Sequence, residues 1–378
     1  MAIAAFVLWT WAWTPPVQDV QRGTIVDPVQ CGGDASQTYA LFLPSNYSPD
    51  RQWSLVLAFH PAARGRLMVE KFQAAAERYG YIVAGSNNSR NGPYAVSAAA
   101  AQAMTADLSR RFSIDPQRVY VTGMSGGARV ALRLALANKD IAGVIASSGG
   151  YPDSQPRENV SFAIFSTAGT EDFNYLEMRM LDRKLASPHF LAVFQGGHTL
   201  PPDDVAYDAL EWMELLAMQS RRRGRDAALV DEILQKRRAR MASATDLTET
   251  VYLLQAIVSD FNGLADVSTE ASRLEQLSRQ PDVKKAMKRE RDADDNELRA
   301  LREIFELETR LGDEVRRDGT LMTLRERLDK LSRVAAGEAD TPERRQARRM
   351  LRSITVGASG RVQDREYLML LERFVRRG

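Results

Sequence analysis

A serine flanked by glycines stands where an apolar run gives way to a helical pattern. The motif Gly123-Met124-Ser125-Gly126-Gly127 follows the β-branched run RVYVT and precedes ARVALRLALANKD, whose apolar residues recur at helical spacing. A tight strand-to-helix turn lifts a serine hydroxyl above the sheet edge, and its glycines leave room for the neighbouring elements. The dipole of the following helix favours developing negative charge. The motif predicts a nucleophilic Ser125; the alternative is a glycine-rich turn without chemistry.

A serine hydroxyl is a poor nucleophile without a base. The chain has three histidines. His60 precedes the serine, His189 lies just before the apolar run FLAVF, and His198 lies in the loop after it. Because the base must reach the carboxyl end of the sheet, we predict His198 as the base and expect His189 at the opposite edge in a structural role. The alternative for His198 is an ordinary surface-loop histidine.

The acid that orients the base should follow the preceding strand. The run FAIFSTAG is that strand, and it continues into Thr170-Glu171-Asp172. We favour Asp172, which comes at the end of the turn, over Glu171, which we expect to face solvent. The alternative for Asp172 is a helix cap before FNYLEMRML, and capping and catalysis can coexist in one residue.

Backbone N–H groups are expected to form an oxyanion hole for this chemistry. The residue after the nucleophile, Gly126, supplies the first donor. The second should come from the loop that follows SLVLAFHP. Since Pro61 has no N–H, we predict Ala62 as the second donor, with Ala63 behind it.

The cleft around the serine is expected to be open. Only about a dozen residues separate IAGVIASSGG from FAIFSTAG, too few for a helical lid. The loop SNNSRNGPY, residues 86 to 94, lies at the carboxyl end of another strand. We predict that Asn91 and Tyr94 of this loop line a substrate cleft together with Met124, although Asn and Gly are also turn formers.

Residues about 24 to 215 resemble the α/β-hydrolase superfamily, of the small esterase type similar to polyhydroxybutyrate-depolymerase-like and dienelactone-hydrolase-like enzymes. The resemblance lies in FHPAARG, GMSGGAR, GTEDFNY and GGHTLP, although the usual HG of the oxyanion loop reads HP here. It implies acyl transfer from an ester or acyl substrate, small or polymeric, to Ser125, and hydrolysis by water that His198 activates. A serine peptidase or other acyl hydrolase shares this chemistry; a non-catalytic interaction scaffold is the further alternative.

The elements that position these residues follow an α/β pattern. Short apolar runs alternate with helical patterns that begin near Met68, Ala95, Gly126 and Asn174. Continuously apolar runs are typical of parallel strands buried on both faces. The pattern predicts an α/β-hydrolase fold with a mostly parallel sheet, helices on both faces and no lid.

Beyond about Asp203 the strands stop and charged helical patterns follow, among them 269 to 290 and 295 to 316. We therefore predict a catalytic domain over 23–220 and an all-α helical-array domain over 221–378. The helical domain could bind a protein or a surface. Its basic clusters, such as ERRQARR, are interleaved with acidic residues and are expected to be solvated faces.

Composition limits the remaining possibilities. Of 378 residues, 44% are hydrophobic and 26% charged, which is typical of a globular chain long enough for two domains. The net charge of +2 gives no reason to expect nucleic acid as the main partner. The single cysteine, Cys31, excludes an intrachain disulfide. No metal-ligand spacing, phosphate loop or dinucleotide fingerprint occurs, so we expect no metal or cofactor.

The chain begins with the apolar run MAIAAFVLWTWAW. It is shorter than the roughly 20 residues of a spanning helix, and Thr10 and Ala12 suit cleavage after Ala12. We expect residues 1–22 to be a signal-like or anchor segment of an exported protein, periplasmic or extracellular. Because no Lys or Arg precedes the run, a cytoplasmic protein with an apolar segment packed on its body is the alternative.

Overall fold

A computed structural model describes residues 20–153, 155 and 157–375. The apolar N-terminal run and the cleavage expected after Ala12 lie outside these residues. The strands are Ile25–Cys31 (β1), Asp34–Phe42 (β2), Trp53–Phe59 (β3), Tyr81–Ser86 (β4), Ile114–Met124 (β5), Ile141–Ser147 (β6), Ala163–Gly169 (β7) and His189–Phe194 (β8). Within the described part of the chain they form one sheet in the order β1-β2-β4-β3-β5-β6-β7-β8.

Strands β3 to β8 run parallel, and β1 and β2 are antiparallel to their neighbours. The inner strands are apolar throughout because both faces of the sheet are covered. The predicted mostly parallel sheet is thus confirmed. The first strand was missed from the sequence because its segment, IVDPVQC, contains Pro28, which is tolerated only at an edge such as this one.

Helices cover both faces of the sheet. They are Gly65–Tyr79 (α1), Tyr94–Arg111 (α2), Gly126–Ala137 (α3), Tyr175–Lys184 (α4) and Asp203–Gln219 (α5). One hydrophobic cluster joins the sheet to α2, α3 and α4, and another joins its other face to α1 and α5. We call residues 20–219 the sheet half.

The rest of the described chain is helical, as predicted. Its helices are Ala227–Ser243 (α6), Leu247–Asp260 (α7), Ser268–Arg279 (α8), Pro281–Arg310 (α9), Arg317–Ala335 (α10), Pro342–Thr355 (α11), Ala358–Arg361 (α12) and Arg365–Val375 (α13). We call residues 227–375 the helical half. In the chain as described, no helix is both apolar enough and long enough to cross a bilayer.

One predicted helix boundary is wrong. The interruption expected between residues 290 and 295 does not occur, and α9 runs through that segment without a break. The chain instead breaks before Pro281, because proline fits the first turn of a helix but not its interior. The acidic segment inside α9 stays helical while Asp294 is buried against Arg179 of α4.

The two halves share hydrophobic packing. Leu176 of α4 belongs to the cluster formed by α9, α10, α11 and α13. Leu215 and Met218 of α5 belong to a cluster formed with α6 and α7. Buried Arg179 also donates to Glu290 on α9, at 2.6 Å. The helical half is therefore packed onto α4 and α5.

Candidate active site

The serine of the glycine motif occupies a strained turn. Strand β5 ends at Met124, α3 begins at Gly126, and Ser125 between them has φ 54° and ψ −118°. Positive φ costs a non-glycine residue roughly 1–3 kcal/mol and persists only when its surroundings impose it. Here the Ser125 N–H donates to the carbonyl of Ser147 at 2.7 Å. The turn thus holds the side chain at the carboxyl edge of the sheet.

The turn requires the glycine two residues after the serine. A Cβ on Gly127 would lie 2.1 Å from the carbonyl oxygen of Phe59, where real side chains are never found. We expect Gly127→Ala to lower the free energy of unfolding by about 1–3 kcal/mol, because α3 must move away from β3. Urea unfolding measures this. The control is Gly224→Ala, which has open space around it; equal losses in the two variants would contradict the prediction.

The structure brings the three predicted side chains together. His198 Nε2 lies 2.9 Å from Ser125 Oγ, and His198 Nδ1 lies 2.8 Å from Asp172 Oδ1. Asp172 is fully buried after β7, and His198 is half-buried in the loop after β8. The separate positions in the sequence converge because β5, β7 and β8 end at the same edge of a parallel sheet.

The surroundings of the imidazole fix its orientation. The Phe173 ring stacks on the His198 ring with 4.0 Å between centroids and 28° between planes. Asp172 Oδ1 also accepts the Asn174 N–H at 2.8 Å, whereas Oδ2 is buried without a hydrogen-bond partner among the described residues. With Nδ1–H donated to the carboxylate, Nε2 is left to accept the serine proton.

The oxyanion loop differs from the prediction for its second donor. The Ala62 N–H donates to His60 Nδ1 at 3.1 Å, and the Ala63 N–H donates to the His60 carbonyl at 3.2 Å. Burial, with a contribution from Arg64, lowers the pKa of His60, so its neutral ring can accept. In this conformation neither N–H is available to a substrate oxygen. Of the three predicted oxyanion donors, Gly126 is the one whose N–H is not donated to His60.

The predicted cleft residues lie in different surroundings. The Asn91 amide abuts the turn, since a Cβ on Gly126 would lie 1.8 Å from Asn91 Oδ1. The Tyr94 ring is half-buried, with the Arg133 guanidinium 4.1 Å from its centroid. Met124 is only 8% exposed and offers almost no surface to a substrate, contrary to expectation, because it completes a buried strand. Asn91 thus lies against the serine turn from a separate loop.

The other histidine occupies the far end of its strand. His189 begins β8, at the amino edge of the sheet. Its Nδ1 lies 2.7 Å from the Ser187 carbonyl, and its Nε2 lies 3.7 Å from Asp182. It has the local contacts of a structural residue and no contact with the serine.

Sequence reasoning missed the contribution of α11. Glu171 was expected to face solvent, but its carboxylate pairs with Arg348 Nη1 at 3.2 Å. The ERRQARR cluster was expected to be a solvated face, yet Arg349 is only 13% exposed and contacts Thr170. The alternation of buried and charged residues on α11 was a signal of one packed face, but it did not identify the partner surface.

No protein-family model matches the sequence, and no curated protein matches it significantly. Among solved structures, it is similar to a ferulic acid esterase at 17% identity, over 50% of this chain and 94% of that one, with a TM-score of 0.40. A thermostable esterase matches at 19% identity over 50% and 60%, with a TM-score of 0.39. A feruloyl esterase module from Clostridium thermocellum matches at 13% identity over 50% and 85%, with a TM-score of 0.41. Residues 20–219 have the mostly parallel sheet, the helices on both faces and the tight serine turn that were predicted as an α/β-hydrolase fold.

Proposed function

We propose that the protein is a serine hydrolase that cleaves carboxylic esters with Ser125 as nucleophile, His198 as base and Asp172 as the orienting acid. One observation carries the proposal: a continuous hydrogen-bond chain, 2.9 Å and 2.8 Å in its two steps, that begins at the strained serine. A buried carboxylate, a half-buried imidazole and a strained serine backbone are together costly to maintain without a chemical use.

In the proposed reaction, Ser125 Oγ attacks the ester carbonyl while His198 Nε2 takes the hydroxyl proton. The tetrahedral oxyanion lies near the N-terminus of α3 and accepts the Gly126 N–H. His198 then returns the proton to the leaving alcohol, which leaves an acyl-enzyme. Water, deprotonated by the same imidazole, attacks the acyl carbon, and the proton passes back to Ser125 as the acid product leaves.

The surroundings favour substrates that do not need enclosure. The segment between β6 and β7, residues 148–162, contains no helix among its described residues, so it forms no helical lid. We propose small or polymeric esters as the substrate class. Amide or other acyl substrates share the nucleophile chemistry and are distinguished by turnover. We also propose export, for which the support is the apolar run over residues 1–13.

A fluorophosphonate probe tests the nucleophile. We expect one covalent adduct per chain, on the peptide that contains Ser125, because the probe reacts only with an activated serine. Mass spectrometry of the digested protein locates the adduct, and heat-unfolded protein is the control that should remain unlabelled. A panel of p-nitrophenyl esters of increasing acyl length gives the substrate range. Native protein that takes up no probe and turns over no ester would refute the proposal.

A further inference from the structure

Helix α11 holds the loop that carries the acid. We call residues 170–174 the acid loop. Arg349 Nη1 donates to the Thr170 carbonyl at 3.0 Å. The Ser353 hydroxyl lies 3.0 Å from both the Phe173 carbonyl and the Arg349 carbonyl of its own helix, so its one proton is shared between them. The helical half therefore contacts the backbone on both sides of Asp172 in the sequence.

The acid loop divides its backbone hydrogen bonds between the two halves. The Thr170 N–H donates to Phe194 and the Glu171 N–H to Gly196, each at 2.8 Å, so these donors are satisfied within the sheet half. The carbonyls of Thr170 and Phe173 accept from α11 instead. Both of these carbonyls of the acid loop therefore have a hydrogen-bonding side chain of α11 as a neighbour.

The same helix also reaches the histidine loop. A Cβ on Gly197 would lie 2.4 Å from Arg352 Nη1, so this guanidinium lies against the residue before His198. Arg348 meanwhile pairs with Glu171 in the acid loop. One helix thus contacts both loops whose relative position sets the imidazole-to-carboxylate distance.

Arg349 is itself fixed in place. Its guanidinium forms two hydrogen bonds to Glu297 of α9, one at 2.8 Å from Nε, and lies 4.2 Å from the centroid of the Tyr175 ring. The Glu297 side chain is 1% exposed, so its charge depends on the arginine. A bidentate, stacked guanidinium has little freedom, and one N–H of its Nη1 donates to the acid loop.

We propose that Arg349 is a positioning residue for Asp172, through which the helical half takes part in the reaction of the sheet half. The inference rests on the proposed function, since the carboxylate position matters to turnover only if the triad operates. Of the Asp172 carboxylate oxygens, Oδ1 accepts from His198 and Asn174, whereas the buried Oδ2 has no partner among the described residues. The position of the carboxylate therefore depends on the loop backbone, and α11 provides part of the contacts that hold this backbone.

The test variant is the pair Glu297→Gln and Arg349→Met, which removes the guanidinium without leaving a buried carboxylate uncompensated. We expect kcat to fall by about 10²-fold with KM nearly unchanged, because small displacements of a catalytic group have effects of that size. In a background that carries Asp172→Asn, the pair should cause little further loss, since it acts through the acid. The control is Arg345→Met, whose guanidinium on the same helix pairs with Asp340.

Two results would overturn the positioning role: turnover within twofold of the parent, or the same fold loss in the Asp172→Asn background. Hydrogen exchange supplies a readout that does not depend on activity. Peptides covering residues 170–175 should exchange faster in the variant, while peptides of β5 keep their protection. If the wild type proves inactive on esters and towards the probe, the proposed function fails, and this exchange comparison still decides the positioning.

If the paired variant does not fold, Ser353→Ala is the second variant. It removes the hydroxyl that contacts the Phe173 carbonyl without disturbing a charge. We expect faster exchange at the acid loop and a smaller fall in kcat than for the pair. Exchange equal to that of the wild type in this variant would count against the role assigned to α11.

Discussion

Ester hydrolysis by Ser125→Ala is expected to fall by about 10⁶-fold, the size of loss seen when a serine hydrolase loses its nucleophile. Among the described residues, Ser125 Oγ is the hydrogen-bond partner of His198 Nε2, at 2.9 Å. Alanine removes this oxygen while the turn around it stays intact. Initial rates on a p-nitrophenyl ester measure the loss. The free energy of unfolding should change little, because alanine keeps the backbone turn and the lost hydroxyl is only half-buried.

The control for this prediction is Ser109→Ala, at an exposed serine on α2. It should keep the wild-type rate. If Ser125→Ala retained more than a hundredth of the wild-type rate, another group would be the nucleophile.

Asp172→Asn is expected to lower kcat/KM by about 10⁴-fold, as in other triads that lose the charge of the acid. The amide fills the same space but no longer favours the imidazole tautomer with its proton on Nδ1. It also fails to stabilise the imidazolium that forms when His198 takes the serine proton. Steady-state kinetics measures the effect, and labelling by the fluorophosphonate should slow in parallel.

The chain contains a matched control in a second aspartate–histidine pair. Asp182 lies 3.7 Å from His189 at the amino edge of the sheet. We expect Asp182→Asn to leave kcat/KM within about twofold of the wild type. Similar losses in the two variants would mean that Asp172 acts through general stability and not through the imidazole.

The part of the fold that positions the serine could be predicted because each step has a local cause. Continuous apolar runs predicted buried parallel strands, and the glycines around Ser125 predicted a turn into a helix. His198 and Asp172 followed from the order of strands, since parallel strands end at the same edge. The structure differs where the sequence pattern is weaker, as in β1 with its proline and in α9 with its acidic interior.

The details of the site that could not be predicted depend on tertiary contacts. The N–H groups of Ala62 and Ala63 donate to the ring and the carbonyl of His60. These hydrogen bonds depend on an unprotonated His60 Nδ1 and on a backbone that places Ala63 at φ 54°. The position of α11 could not be predicted either. An amphipathic helix shows that one face is buried, but its pattern does not say which loops that face covers.

The helical half has a further consequence for the last strand of the sheet. Among the described strands, β8 pairs only with β7, so its outer edge presents unpaired backbone groups, and Val193 is 40% exposed. Residues of both β8 and α7 line a cavity of about 470 Å³. Exposed apolar edges recruit strands from other molecules, and covering them with helices is a natural protection against aggregation. Cutting the chain near residue 220 would remove the helices beside this edge. We expect the shortened protein to self-associate, so that its activity could not be compared directly with that of the full chain.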